Sequence, residues 1–269
     1  METKLSFRLA PNPTRQSDSS IVVFLHGFLG SGMEFDAITA QLGDRSLTID
    51  LPGHGETRFS DQYTMENTAT AIVNLLDELA IDRANLVGYS MGGRLALYLA
   101  LNYPERFEKA IIESGSPGLK TERERAERIK RDCELADRIR TDFDQFLIDW
   151  YNQPLFQSIK VHPQFEQMLK ERSRNNPVEL ARSLLEMGTG MQPNLWGKLQ
   201  SHRQPLLLIA GERDRKFVAL NQEMASLCET AELAITSNTG HNIHFESPEW
   251  YIQQIKDFLI EPVKKQPYR

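Results

Sequence analysis

One stretch limits the possible folds of this chain more than any other: Leu86-Val87-Gly88-Tyr89-Ser90-Met91-Gly92-Gly93-Arg94. An apolar run enters it, a segment as apolar as Leu95 to Leu101 leaves it, and a serine sits between. Gly88, Ser90 and Gly92 have the G-x-S-x-G spacing of a strand–turn–helix elbow, a turn so tight that its flanking positions have no room for a side chain. The serine then stands at a helix N-terminus, where free N–H groups can stabilise a nearby anion. The pentapeptide alone is equally compatible with an idle serine, so the rest of the chain has to decide.

The same alternation recurs along the sequence. Lys4 to Arg8 reads as a short edge strand, followed by a polar stretch with Pro11 and Pro13. Ile21 to Leu25 is a continuous apolar run stopped by His26-Gly27-Phe28-Leu29-Gly30, as expected of a strand buried on both faces. Phe35, Ile38 and Leu42 share a helical face, and Leu47 to Ile49 opens into Asp50-Leu51-Pro52-Gly53-His54-Gly55. Thr64 caps an amphipathic helix through Leu79, Asn85 to Val87 feeds the elbow, and Ala110 to Ile112 gives another strand. Right-handed crossovers between such units build a mostly parallel central sheet with helices on both faces.

The alternation pauses at Pro117-Gly118. From there to Gln204 charge is dense and the periods are helical. Thr121 to Arg140 reads as a long charged helix with Ile129 and Leu135 among its few apolar positions. Trp150, Tyr151, Leu155 and Phe156 form an aromatic knot, with two or three helices beyond it. Leu206 to Ala210, a helix from Val218 to Leu227, Leu233 to Ile235 and a closing helix from Pro248 to Ile260 then resume the pattern. The expected organisation is an α/β core, residues 1–116 and 205–269, carrying an inserted helical cap, residues 117–204.

Composition narrows the function classes. A net charge of −6 over 269 residues argues against a nucleic-acid surface and makes clustered arginines informative. Cys133 and Cys228 have no metal-ligand spacing and read as reduced thiols. The start lacks a signal-peptide core and no apolar run is long enough to span a bilayer, so a cytoplasmic protein without membrane insertion is expected. The Lys264-Lys265 tail reads as frayed surface.

Ser90, Asp214 and His241 fall at the C-terminal ends of expected parallel strands, where open α/β sheets collect their catalytic groups. Their order, nucleophile, acid, histidine, is that of α/β-hydrolases. A serine hydroxyl needs an imidazole to take its proton, and a carboxylate must hold that imidazole in the right tautomer. Glu212 competes with Asp214, but the Gly-x-x-Asp turn favours Asp214. His244 competes with His241, but Gly240 favours His241 and leaves His244 to a supporting or surface place. His26 and His54 read as structural, bonding backbone groups; His162 and His202 carry no signal. The Phe28 and Met91 N–H groups are the candidates for an oxyanion hole. Arg94 follows Ser90 by one helical turn in an otherwise apolar helix, which favours a site residue over a solvated charge. By spacing alone Arg128 and Arg172 read as solvated.

Taken together, these residues resemble the 2-succinyl-6-hydroxy-2,4-cyclohexadiene-1-carboxylate synthases, a family within the α/β-hydrolases. The matching stretches are Leu25-His26-Gly27-Phe28-Leu29-Gly30-Ser31, Asp50-Leu51-Pro52-Gly53-His54-Gly55, Gly88 to Arg94, and Ser116-Pro117-Gly118-Leu119. Asp149-Trp150-Tyr151-Asn152-Gln153-Pro154, Gly211-Glu212-Arg213-Asp214-Arg215-Lys216-Phe217 and Gly240-His241-Asn242 complete the set, which covers nearly the whole chain. The resemblance implies a lyase that eliminates pyruvate from 2-succinyl-5-enolpyruvyl-6-hydroxy-3-cyclohexene-1-carboxylate in menaquinone biosynthesis, with no metal and no organic cofactor. It implies that Arg94, Arg128 and Arg172, with Trp150 and Tyr89, bind this small tricarboxylate. Arg125 and Arg174 are alternatives to Arg128 and Arg172, and Lys120 is a weaker candidate. A serine esterase or carbon–carbon hydrolase on the same triad is the competing enzyme, and a non-catalytic receptor the competing class. A monomer or weak homo-oligomer is expected.

Overall fold

A computed structural model describes residues 4–10, 20–43 and 45–260. The Pro11 and Pro13 stretch and the Lys264-Lys265 tail lie outside them. The strands are β1 (Phe7–Ala10), β2 (Ile21–Leu25), β3 (Ser46–Ile49), β4 (Ala84–Tyr89), β5 (Phe107–Glu113), β6 (Leu206–Gly211) and β7 (Ala231–Thr236). They form one sheet in the order β1-β3-β2-β4-β5-β6-β7, parallel except at β1. The early edge strand is displaced from its expected position. Phe7–Ala10 pairs antiparallel with β3, while Lys4 makes an isolated bridge to Arg58 and Leu5 is buried in the core.

Around the sheet run α1 (Asp36–Leu42), α2 (Met65–Glu78) and α3 (Met91–Asn102), with α10, α11 and α12 given below. Between β5 and β6 the described residues contain helices and no strand: α4 (Glu122–Thr141), α5 (Phe143–Tyr151), α6 (Gln157–Lys160), α7 (Phe165–Arg172), α8 (Pro177–Met187) and α9 (Trp196–Leu199). The chain closes with α10 (Arg215–Leu227), α11 (Ile243–Glu246) and α12 (Pro248–Ile260).

Two of the longer helices are capped as their sequence requires. The Thr64 hydroxyl accepts the Asn67 N–H at the start of α2, and Thr121 with Glu124 makes a capping box on α4. The sheet packs apolar residues on both faces. Leu86, Leu95 and Leu208 belong to one cluster; Phe24, Val87, Ile209 and Tyr251 belong to the other. The inserted helices bury a third cluster, with Ala136, Ile139, Phe146, Leu180 and Leu184, which reaches the loop after β2 through Leu29. In α4 the buried face is Asp132, Ala136 and Ile139 rather than Ile129, which is half-exposed, with Leu135 packed at the cluster's edge. The positions i, i+4 and i+7 turn together toward α8, and a carboxylate is drawn inside by an arginine described below.

Candidate active site

β4 ends at Tyr89, α3 begins at Met91, and Ser90 between them is held at φ 51°, a left-handed conformation that is strained for a serine. The elbow is pinned from both sides. The Ser90 N–H donates to the Glu113 carbonyl at 2.8 Å, and the Gly92 N–H to the His26 carbonyl at 3.0 Å. A Cβ on Gly92 would stand 2.1 Å from the Leu25 carbonyl oxygen, and one on Gly88 2.4 Å from the Gly92 carbonyl oxygen, so only glycine fits at either place.

The loops after β6 and β7 bring Asp214 and His241 to this edge. His241 Nε2 lies 3.0 Å from Ser90 Oγ, and His241 Nδ1 lies 2.7 Å from Asp214 Oδ2. The tautomer consistent with this chain has Nδ1–H donating to the carboxylate and Nε2 accepting from the hydroxyl. Asp214 also caps α10 by accepting the Phe217 N–H, which fixes the carboxylate. The ring of Phe217 packs edge-on against His241, centroids 4.7 Å apart. Glu212, the competing acid, is exposed and accepts the Asn238 N–H instead.

Phe28 and Ser90 line the same cavity, and Met91 adjoins the serine. Neither the Phe28 nor the Met91 N–H has an acceptor among the described residues, whereas that of Gly92 is consumed by His26. Two donors are therefore open for an oxyanion. His26 and His54 shape the loop, as their sequence context suggested. His26 Nε2 accepts the Leu51 N–H and His54 Nε2 the Leu29 N–H, while their Nδ1 atoms face the Gly27 and Pro52 carbonyls. Burial pushes both imidazoles below the usual histidine range, so they are neutral.

The cavity at Ser90 is lined by Phe28, Tyr89, Trp150, Tyr151, Arg172 and Asn242 with neighbouring Phe156 and Ile159, and encloses about 30 Å³. That is room for about one water. Larger hollows of about 240 Å³ beside Trp150 and about 510 Å³ behind Asp214 do not include Ser90.

The arginines separate into two groups. Arg172, at the end of α7, is buried in the cavity wall and paired with Glu34: Nη1 lies 3.0 Å from Oε1 and Nη2 2.5 Å from Oε2. Arg174, its sequence neighbour, points to solvent and pairs with Glu171. Arg94 and Arg128 are not brought into the Ser90 cavity. Arg94 is buried, and its guanidinium donates to the Met187 carbonyl at 3.0 Å and approaches Gln192 Oε1 at 3.4 Å. No carboxylate lies within salt-bridge distance of it among the described residues, and burial, with Arg128 nearby, lowers its pKa to about 10. Arg128 donates from Nε to Asp132 Oδ1 at 2.7 Å, and the other oxygen of this buried carboxylate has no partner. Arg125 makes a loose contact with Glu122, and Lys120 pairs with Glu223 while lying over the Trp196 ring.

His244 is not a surface residue. It is buried, with Nδ1 2.8 Å from Glu113 Oε2 and Nε2 3.6 Å from Glu34 Oε2. Burial opposes its charge, but Glu113 and Glu34 more than reverse this and raise its pKa to about 9. Glu113 Oε1 also accepts the Ile243 and His244 N–H groups. Sequence reasoning missed Glu34 and Glu113. Ser31-x-x-Glu34 carries a visible capping pattern, and Glu34 Oε1 does accept the Ser31 N–H, but the pattern says nothing of Arg172. Glu113 reads only as the end of a strand.

Comparison with known proteins gives the family. Residues 20–248 match the α/β-hydrolase fold family. A putative 2-succinyl-6-hydroxy-2,4-cyclohexadiene-1-carboxylate synthase from Bacillus subtilis (strain 168) is 40% identical over 255 residues, covering 90% of each chain. The enzyme of that name from Serratia proteamaculans is 34% identical, covering 92% of this chain and 96% of its own. The structure of MenH from S. aureus superposes with a TM-score of 0.90 at 34% identity, covering 94% of this chain and 97% of the other. The chain belongs to the α/β-hydrolase fold family and, within it, to the 2-succinyl-6-hydroxy-2,4-cyclohexadiene-1-carboxylate synthases.

Proposed function

We propose that this protein is the lyase that eliminates pyruvate from 2-succinyl-5-enolpyruvyl-6-hydroxy-3-cyclohexene-1-carboxylate, giving 2-succinyl-6-hydroxy-2,4-cyclohexadiene-1-carboxylate for menaquinone synthesis. The observation that carries this reading beyond the fold is Arg94, a buried cation one helical turn past Ser90. It lies outside the small Ser90 cavity, makes no ion pair among the described residues, and is held only by Met187 and Gln192 of the inserted helices. A pocket for neutral esters is mainly apolar and has no use for such a charge. Arg128 and Arg172 add two more guanidiniums to the surroundings of the cleft, suited to the three carboxylates of this substrate.

The ring proton to be lost is α to the succinyl ketone. Ser90 Oγ takes it as the serine's own proton passes to His241 Nε2, and Asp214 stabilises the imidazolium. Negative charge collects on the ketone oxygen, where the Phe28 and Met91 N–H groups receive it. As the electrons return to form the diene, the bond from the ring to the enolpyruvyl oxygen breaks. Pyruvate leaves as its enolate and is protonated at carbon, and His241 gives up the proton it took. Ser90 acts as a base toward carbon and no acyl-enzyme forms. Trp150 and Tyr89 flank the bound ring, and the inserted helices serve as the cap. Unpaired Cys133 and Cys228 suit a reducing cytoplasm, and a triad drawn from one chain needs no oligomer beyond a monomer or weak homo-oligomer.

Purified protein given the enolpyruvyl substrate without added metal should release pyruvate far faster than the spontaneous rate. Absence of that release sinks the reading. Brisk turnover of p-nitrophenyl esters with acylation of Ser90 would instead favour a hydrolase, and tight tricarboxylate binding without turnover a receptor.

A further inference from the structure

Four charged groups, three buried and Glu34 13% exposed, run in a row from the end of β5 to the end of α7: Glu113, His244, Glu34 and Arg172. The sign alternates at every step. The Glu113 carboxylate holds His244 Nδ1 at 2.8 Å, His244 Nε2 faces Glu34 at 3.6 Å, and Glu34 takes both terminal nitrogens of Arg172. Glu113 is also tied to the catalytic edge, since its carbonyl anchors the Ser90 N–H and its carboxylate anchors the backbone just after His241. The row thus connects the triad's own backbone to an arginine of the Ser90 cavity wall.

The manner of the Glu34 contact matters. A guanidinium has five N–H donors in a plane, one on Nε and two on each terminal nitrogen. Glu34 lies end-on and uses one donor from each terminal nitrogen. Nε is buried and has no hydrogen-bond partner. An unpaired donor on a side chain 95% buried is costly unless something completes it; with Glu34 and Tyr151 both contacting the guanidinium, Nε–H on its side edge is the donor left for a second carboxylate. The positive charge of Arg172 is meanwhile already matched by Glu34.

We infer that Glu34 is a positioning residue for the reaction: by holding Arg172 end-on against the row anchored at Glu113, it presents the side edge of that guanidinium to a substrate carboxylate in one orientation. Arg172 then contributes geometry, while Arg94 contributes a charge not taken up by a direct ion pair. This rests on the proposed lyase reading for the identity of the carboxylate, but not for the Glu34–Arg172 geometry.

The inference separates from a merely structural role in a double-mutant cycle on pyruvate release. Glu34→Gln should lower kcat at least tenfold while KM rises no more than threefold, because a freed guanidinium still attracts the anion but holds it badly. In an Arg172→Ala background the same change should cost less than twofold. Losses that multiply, or a Glu34→Gln enzyme with native kcat, overturn it. Should Glu34→Gln not fold, Glu34→Asp keeps the charge with a reach too short for both contacts and should show the same split. A native protein that releases no pyruvate defeats the lyase reading instead. The geometry is then tested by nitrogen-15 NMR on the native protein, with the Arg172 Nε–H signal identified by its loss in Arg172→Lys. A slowly exchanging signal that shifts on adding tricarballylate supports the inference; a signal exchanging as fast as that of a solvent-exposed arginine, or one unmoved at saturating tricarballylate, overturns it.

Discussion

The inserted helices meet the core at two buried arginines, one supplied by each side. Arg172 comes from the insertion and is met by a core carboxylate, Glu34. Arg94 comes from the core and is met by a carbonyl and an amide of the insertion, Met187 and Gln192. In the first pair the desolvation of two ions is offset by their attraction and by paired hydrogen bonds. In the second a charge is buried with hydrogen bonds to dipoles only; burial and the nearby Arg128 lower its pKa to about 10, and the more distant Asp132 offsets only part of this. A buried cation without a direct ion pair costs stability. On the proposed function, the contrast divides the labour at the cleft between an arginine that is aimed and an arginine that attracts.

Neither arginine should matter as much as the triad. Asp214→Asn should lower kcat by about 10⁴-fold by releasing the His241 tautomer, read as pyruvate release at saturating substrate; a smaller effect than that of either arginine would remove the triad from the centre of the mechanism. Next in size, Arg172→Met should destabilise the fold by up to about 3–5 kcal/mol in urea titrations, because it removes the paired contacts of the mostly buried Glu34 carboxylate and leaves it only the longer contact to His244. Arg94→Met should cost about 1 kcal/mol or less, since the nearby carboxylate, Asp132, keeps its pairing with Arg128. Equal losses would erase the distinction. Arg94→Ala should then fold normally yet lose about a hundredfold in kcat/KM, the value of a charge-assisted contact with substrate. Native kinetics would return Arg94 to a packing role.

The mildest test uses pH. His244 titrates at about 9 in the fold against 6.5 as a free side chain, so its contribution is complete below 6.5 and is lost as pH rises through 9. Stability should decline across that window by about 3 kcal/mol, because each tenfold gain in proton affinity on folding is worth about 1.4 kcal/mol. The neutral His26 and His54 act in the opposite sense, favouring the fold above 6.5 and losing that contribution at lower pH, so they leave this window clear. Thermal unfolding of the native protein and of His244→Gln between pH 6.5 and 9 should show the decline only in the native protein.

How much of this could be read from the chain depended on distance along it. Ser90, Asp214 and His241 each follow a local apolar run and a glycine-bearing turn, so each could be placed at a strand end without knowing the others. Asp214 was separable from Glu212 because its turn carries it onto the cap of α10. The partnerships of charge were another matter. Glu34 and Arg172 are 138 residues apart, and Glu113 and His244 are 131 apart, with nothing in either neighbourhood to announce the other. His244 accordingly read as a supporting or surface residue when it is buried between two carboxylates. Asp132 is buried although α4 is one of the most charged helices, because Arg128 on its own helix draws it in. The cavity's small size belongs to the packing of inserted helices on the loop after β2, which no local pattern encodes.

The elbow has a consequence in time. Ser90 is bonded to β5 through the Glu113 carbonyl, and Gly92 to the end of β2 through His26. Residues 26 and 113 come together with the elbow only when three neighbouring strands have docked in register. During folding, therefore, the strained serine has nothing to hold it until the middle of the sheet exists. Secondary structure can return earlier, but turnover can return only with the assembled centre, so recovered activity in a refolding experiment is a clock for the last step rather than the first.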